Sequence, residues 1–160
     1  MTIPLQILAV IVSYLLGAIP FGLLFSRLFS NVDVRTVGSG NIGATNVLRA
    51  AGKKAAALTL FADCFKGLLP VLAVQFLSHD ETLASVSGAA SVLGHNFPVY
   101  LGFKGGKGVA TSFGVVLATA PWIGLVCLIA WLLAAAAWRY SSLSALLSFM
   151  LYPVLIFALH

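Results

Sequence analysis

The chain is built from apolar runs too long and too closely spaced for a water-soluble fold. They cover residues 3–25, 55–77, 83–101, 109–138 and 143–159, and a helix needs only about 20 apolar residues to cross a bilayer. With 61% hydrophobic and 8% charged residues in a chain of 160, there is too little polar surface to cover a globule. The expected fold class is an all-α polytopic membrane protein, a single integral domain over residues 1–160 with no soluble domain left over.

The first run has no basic leader, no small-residue cleavage signal, and Arg27 behind it. It reads as a retained helix rather than a signal peptide, with the N-terminus outside. Arg27, Arg35, Arg49, Lys53 and Lys54 fill the first connection, whereas the next carries only Asp80 and Glu81. The positive-inside rule puts the first in the cytoplasm and the second outside. As one helix, the run 109–138 would be about 45 Å long against a hydrocarbon core of about 30 Å. Pro121, beside Thr119 and Trp122, is the natural break. About six transmembrane helices follow, with cytoplasmic connections 26–56, 102–111 and 139–142; a re-entrant hairpin around Pro121 gives the same sidedness.

Cys64 and Cys127 both lie within apolar runs, which argues against a disulfide framework or a zinc site, so neither a metal nor a cofactor is expected. A net charge of +5 raises the possibility of a nucleic-acid partner, but no basic stripe with interleaved aromatics lies on a soluble surface, and none is expected.

Most of the charge gathers around two glycine-rich segments. The first runs from Arg35 to Arg49 and contains Gly38, Ser39, Gly40, Asn41, Gly43, Thr45 and Asn46. Its glycines leave backbone N–H groups open to an anion, its small side chains can donate to phosphate oxygens, and Arg49 can add a bidentate clamp. The second, Phe103 to Thr111, contains Lys104, Gly105, Gly106, Lys107 and Gly108. It is no nucleotide P-loop, because Lys107 is followed by Gly108 rather than Ser or Thr. What remains is a glycine nest leading into a helix N-terminus, itself partly positive. The plain alternatives are a flexible turn for the first segment and interfacial markers for Lys104 and Lys107.

His95 stands just before the second glycine segment and is a candidate on that ground, although a lone histidine near a helix end is commonly a packed residue. Neither it nor His79 belongs to a His-x4-Asp dyad, since Tyr100 and Ala84 occupy the fifth places. Asp63 and Lys66 sit three apart in an apolar helix and can neutralise each other; Lys66 could instead reach the anion pocket. Ser141 and Ser142, after Arg139, can cap a helix or touch a polar substrate.

These residues are recognisable together. Gly38 to Arg49 with Lys66-Gly67, Gly94-His95 through Gly102 to Thr111, and Arg139-Tyr140 with Ser142-Leu143 resemble the bacterial membrane acyl-phosphate:glycerol-3-phosphate acyltransferases, the PlsY family. The resemblance covers nearly the whole chain. It implies a multi-pass inner-membrane enzyme, monomeric and facing the cytoplasm, that transfers a fatty acyl group from acyl phosphate to the sn-1 hydroxyl of glycerol 3-phosphate. Lysophosphatidic acid and phosphate would result, the first step of phospholipid biosynthesis. It also implies a seventh helix and a third, His- and Asn-containing motif beyond Ser142, which this chain, stopping at His160, is expected to lack.

Two phosphate-bearing substrates repel, by roughly 3 kcal/mol per pair of unit charges about 5 Å apart at an effective dielectric near 20, so a cationic pocket comes first. Ser39, Gly40, Asn41, Thr45, Asn46 and the Gly105-Gly106 backbone are expected to hold one phosphate. Arg49, Lys104 and Lys107, with Lys66 in reach, would clamp the other. Ser39, His95, Lys107 and Ser142 are the catalytic candidates, with His95 or Ser142 orienting the hydroxyl and a substrate phosphate open as proton acceptor. Phosphate is already a good leaving group, so no covalent serine intermediate is needed. The acyl chain would lie between helices, open to membrane lipid. The rival readings are a transporter of a phosphorylated metabolite and an anionic-lipid-binding scaffold. A transporter needs polar residues near the midplane and access from both faces, and a scaffold needs charge but no paired glycines.

Overall fold

A computed structural model describes residues 1–159. Among them every regular element is helical: α1 (Ile3–Gly17), α2 (Phe21–Ser30), α3 (Ala44–Ser78), α4 (Glu81–Asn96), α5 (Val109–Thr119), α6 (Pro121–Trp138) and α7 (Ser141–Leu159), with short 3-10 turns at Val34–Thr36 and Val99–Leu101.

Proline sets most of the breaks. The first apolar run, expected as one helix, is split at Ile19-Pro20 into α1 and α2, because proline has no N–H to continue the ladder and disfavours a helical residue before it. Pro98 similarly holds α4 to an end at Asn96, short of the expected Leu101. The break at Pro121 falls where the sequence puts it.

The segment 26–56 is not the open connection expected. α2 continues to Ser30 and α3 already begins at Ala44. The cause is packing: Leu23, Val34, Ile42, Val47 and Ala55 form a buried cluster, and the first leg of α3 must be helical to deliver Val47 into it. The helix then turns sharply at Gly52, whose φ of 82° and ψ of −178° suit a residue without a Cβ.

Four segments are long and apolar enough to cross a membrane: Ile3–Ser30, Ala44–Ser78, Pro121–Trp138 and Ser141–Leu159. α4, with 16 residues, and α5, with 11, are shorter. At 1.5 Å per residue α5 reaches about 16 Å, half of the hydrocarbon core, so the outward arm before Pro121 is not a full span.

α3 lies at the centre and packs on α1, α2, α4 and α5, while α1 pairs with α4 and α6 with α7. The α3–α5 crossing is backbone on backbone. A Cβ on Gly67 would strike the Thr111 carbonyl, and one on Gly114 the Cys64 carbonyl. Small residues at a crossing are the means by which membrane helices gain contact without a hydrophobic driving force. Outward faces carry the large apolar side chains, Phe76, Trp122 and Phe157 being more than four-fifths exposed, which inverts a soluble surface and suits lipid. Cys64 and Cys127 are both free.

Candidate active site

A cavity of about 670 Å³ opens where three segments meet. Ser39, Asn41, Thr45 and Arg49 come from the first, Lys107 and Gly108 from the second, and Arg139 to Leu143 from the third. Two hydrogen bonds tie the third wall to the others: Lys107 Nζ donates to Ser142 Oγ at 2.7 Å, and Thr45 Oγ1 to Ser141 Oγ at 3.4 Å.

The first wall is organised from within by Asn46, which is 2% exposed. Its amide nitrogen donates to the carbonyls of Val34, Val37 and Asn41, and its oxygen accepts from the Ser39 amide. Asn46 therefore shapes the loop with both ends of its amide while also bordering the cavity. Asn41 is partly used likewise, accepting from the Gly43 amide at 2.8 Å. Ser39 and Thr45 keep their hydroxyls at the cavity.

The second wall corrects the nest expected at Gly105-Gly106. Both amides are already bonded, Gly105 N to the Asn96 carbonyl at 3.2 Å and Gly106 N to the His95 carbonyl at 3.0 Å. They cannot also cradle a phosphate. The pair must be glycine for another reason: a Cβ on Gly106 would collide with His95 Nε2, and one on Gly105 with the His95 carbonyl and the Pro98 ring. The glycines thus seat His95, which lines the cavity.

What replaces the nest is a convergence of helix starts. α3 begins behind Gly43 and α5 behind Gly108, neither with a side-chain cap. Ala44, Thr45, Val109 and Ala110, in their first turns, all line the cavity, as do Ser141 and Ser142 at the start of α7. First-turn amides have no partner within their own helix, and the partial positive charge of three helix starts bordering one space favours an anion there.

Side-chain charge acts in the same direction. Arg49, Lys107 and Arg139 line the cavity, and among the described residues none of them is ion-paired. The one carboxylate there, Asp63, is neutralised by Lys66 at 2.8 Å. Lys66 itself turns away, donating to the Ile19 carbonyl at the α1–α2 break, which also accepts from the Phe21 amide, and lying 5.6 Å from the Phe21 ring centroid. It lines a separate, apolar cavity with Phe61 and Phe65. Lys104 is exposed, and neither it nor Gly40 lines the main cavity. Gly40, Lys66, Lys104, Gly105 and Gly106, expected to bind substrate, thus lie around the main cavity rather than in its lining.

Of the sequence candidates, Ser39, Asn41, Thr45, Asn46, Arg49, His95, Lys107 and Ser142 are brought together at the cavity. Asp63 joins them, with the imidazole Nδ1 of His95 3.6 Å from its carboxylate; in the sequence it showed only as a partner for Lys66. Leu60, Trp131 and Leu143 add apolar lining, and Trp131, inside an apolar run, carried no signal at all.

An all-helical membrane protein with a one-sided, cationic and partly apolar cavity defines an integral membrane enzyme acting on anionic amphiphiles. The match to known proteins is specific. Residues 7–160 match the family described as glycerol-3-phosphate acyltransferase, and the chain belongs to that family. A glycerol-3-phosphate acyltransferase of Agrobacterium fabrum is 52% identical over 152 residues, covering 95% of this chain and 74% of the relative. One of Paramagnetospirillum magneticum is 56% identical over 135 residues, covering 84% and 67%. The crystal structure of PlsY, an integral membrane glycerol 3-phosphate acyltransferase in its glycerol 3-phosphate form, superposes with a TM-score of 0.89 at 45% identity, covering 96% of this chain and 76% of that one. Its lysophosphatidic acid form gives 0.87 at 44%.

Proposed function

We propose that this enzyme transfers a fatty acyl group from acyl phosphate to the sn-1 hydroxyl of glycerol 3-phosphate, releasing phosphate and lysophosphatidic acid. The observation that carries the reading is the cavity itself, where cations without an ion pair among the described residues and three helix N-termini meet an apolar lining. Such a site takes a phosphate headgroup and an alkyl chain together. The solved relatives hold glycerol 3-phosphate in one form and lysophosphatidic acid in the other, the acceptor and the product of this transfer.

The hydroxyl oxygen attacks the acyl carbonyl, the carbonyl–oxygen bond to phosphate breaks, and phosphate leaves with the electron pair. Charge moves toward the leaving phosphate, so donors placed around it stabilise the transition state more than the ground state. Ser39, Thr45 and the first turn of α3 hold one phosphate, and Lys107, Arg49 and Arg139 hold the other. Lys107, already bonded to Ser142, fixes that hydroxyl beside the reacting centre. His95 or Ser142 orients the attacking hydroxyl, whose proton passes to a substrate phosphate.

The orientation proposed is cytoplasmic, in the inner membrane. Arg27, Arg35, Arg49, Lys53, Lys54, Lys104, Lys107 and Arg139 all belong to the connections at the cavity end or their flanks, whereas the α3–α4 connection carries Asp80 and Glu81. The test is to give purified protein glycerol 3-phosphate with either acyl phosphate or acyl-CoA and to measure lysophosphatidic acid. Product from acyl phosphate alone is expected; product from acyl-CoA alone, or from neither, would overturn the donor assignment.

A further inference from the structure

Trp131 turns inward from α6, a helix whose other large side chains mostly face lipid. Its neighbours Leu132 and Leu133 are more than half exposed, whereas Trp131 is half-buried and lines the main cavity with Leu60 and Leu143. The indole Nε1–H donates to the Ser141 carbonyl at 3.3 Å. The ring meets Phe113 edge to face at a centroid distance of 6.1 Å, and Phe113 in turn packs on Phe149 at 4.8 Å. The wall behind the indole is thus filled, with Ile123 and Cys127 buried in the same cluster.

Two ordinary roles fit this tryptophan poorly. Aromatic residues often mark the membrane–water interface, but Trp138 and Tyr140 hold that place, 56% and 72% exposed. Trp131 stands seven residues before the end of α6, about 10 Å away along the helix. Packing alone would be met by leucine or phenylalanine, and neither has a donor for the Ser141 carbonyl. That carbonyl belongs to the turn whose two hydroxyls meet the other walls, Ser141 Oγ accepting from Thr45 and Ser142 Oγ from Lys107. One indole therefore joins the apolar lining of the cavity to the corner that meets its cations.

We propose that Trp131 is a positioning residue for the acyl donor, its N–H holding the Ser141–Ser142 corner and its ring bearing the acyl carbons next to the carbonyl. The proximal carbons are the ones in reach, because the indole is bonded to Ser141, and the adjoining Ser142 to Lys107. The phosphate end meets the cations, and the rest of the chain passes Leu60 and Leu143 toward lipid. With Phe113 and Phe149 behind it, the ring does not retreat into the bundle. Trp131 thus fixes how far the carbonyl stands from the phosphate cations, and it moves no proton. This inference rests on the acyl-transfer reading above.

Two measurements test it. Trp131→Phe keeps an aromatic face and loses the donor, so kcat should fall about tenfold with the KM for acyl phosphate within about threefold. Trp131→Leu loses the face as well, and the KM for acyl phosphate should also rise about tenfold, equally for octanoyl and hexadecanoyl phosphate, while the KM for glycerol 3-phosphate holds. A penalty that grows with chain length would put Trp131 at the far end of the chain and overturn the inference, as would wild-type kinetics in both folded variants. If neither variant folds, fluorescence still decides in a protein that keeps Trp131 as its one tryptophan, through Trp122→Phe and Trp138→Phe. Lysophosphatidic acid brominated beside its carbonyl should quench Trp131 more strongly than the same lipid brominated at its methyl end; equal quenching, or the reverse order, would overturn the inference. Absence of lysophosphatidic acid from wild-type turnover would instead fault the acyl-transfer reading.

Discussion

Gly106 and His95 share one space: the imidazole Nε2 occupies the position that a Cβ on residue 106 would need, while the Gly106 amide donates to the His95 carbonyl at 3.0 Å. Loop and histidine are thus a single unit. Gly106→Ala must push the ring off its seat or open the loop, and kcat should fall on the order of 100-fold, as misplaced catalytic groups do. Binding of glycerol 3-phosphate, read by calorimetry, should weaken far less, because the cations lining the cavity are untouched. Wild-type turnover by a folded Gly106→Ala protein would remove His95 from the reaction.

Lys107 and Ser142 are joined at 2.7 Å across 35 residues. Loss of the ammonium in Lys107→Ala removes both a phosphate cation and the tether of the third wall, and turnover should drop on the order of 1,000-fold. Ser142→Ala removes only the tether and should cost about tenfold. If the serine variant is the more damaged, the hydroxyl rather than the lysine contacts the reacting centre.

The sequence made the helical membrane class, the break at Pro121 and the meeting of three polar segments legible, because hydropathy, proline and basic residues act locally. It misjudged the reason for the glycines. A Gly-Gly pair looks the same whether it cradles an anion or leaves room for a neighbouring ring, and only the placement of His95 distinguishes them. Asn46 was hidden for a similar reason, since an amide among glycines reads as a ligand until its four loop partners are known. The Asp63–His95 contact joins residues 32 apart on different helices, beyond any periodicity.

Asn46 makes four hydrogen bonds from a buried position, so its loss should damage folding more than chemistry. Asn46→Ala leaves several buried backbone groups unpaired and should cost about 2–4 kcal/mol. Thermal unfolding in detergent should register this as a lowered Tm. Asn46→Asp keeps the acceptor and loses the donors, and should be nearly as damaging. An Asn46→Ala protein with wild-type Tm and abolished substrate binding would restore Asn46 as a ligand.

Asp33 fastens the entry to the first wall, accepting hydrogen bonds from Arg35 and from Arg27 at 2.8 Å. The Arg35 guanidinium above all, then its amide and Arg27, holds the Asp33 carboxyl well below the usual carboxylate range. A carboxyl depressed on folding lends stability that is complete above its unfolded value, about 3.9, and is lost only as pH falls through the folded value. Between pH 5 and pH 8 the clamp should therefore contribute a constant amount. Asp33→Asn should lower the Tm by the same small increment at both ends of that range and raise the KM for glycerol 3-phosphate modestly, with kcat held. The increment should shrink as salt rises, since the pairs are partly exposed. A difference between wild type and Asp33→Asn that vanished between pH 8 and pH 5 would mean that Asp33 titrates within that range and that the arginines do not hold it ionised.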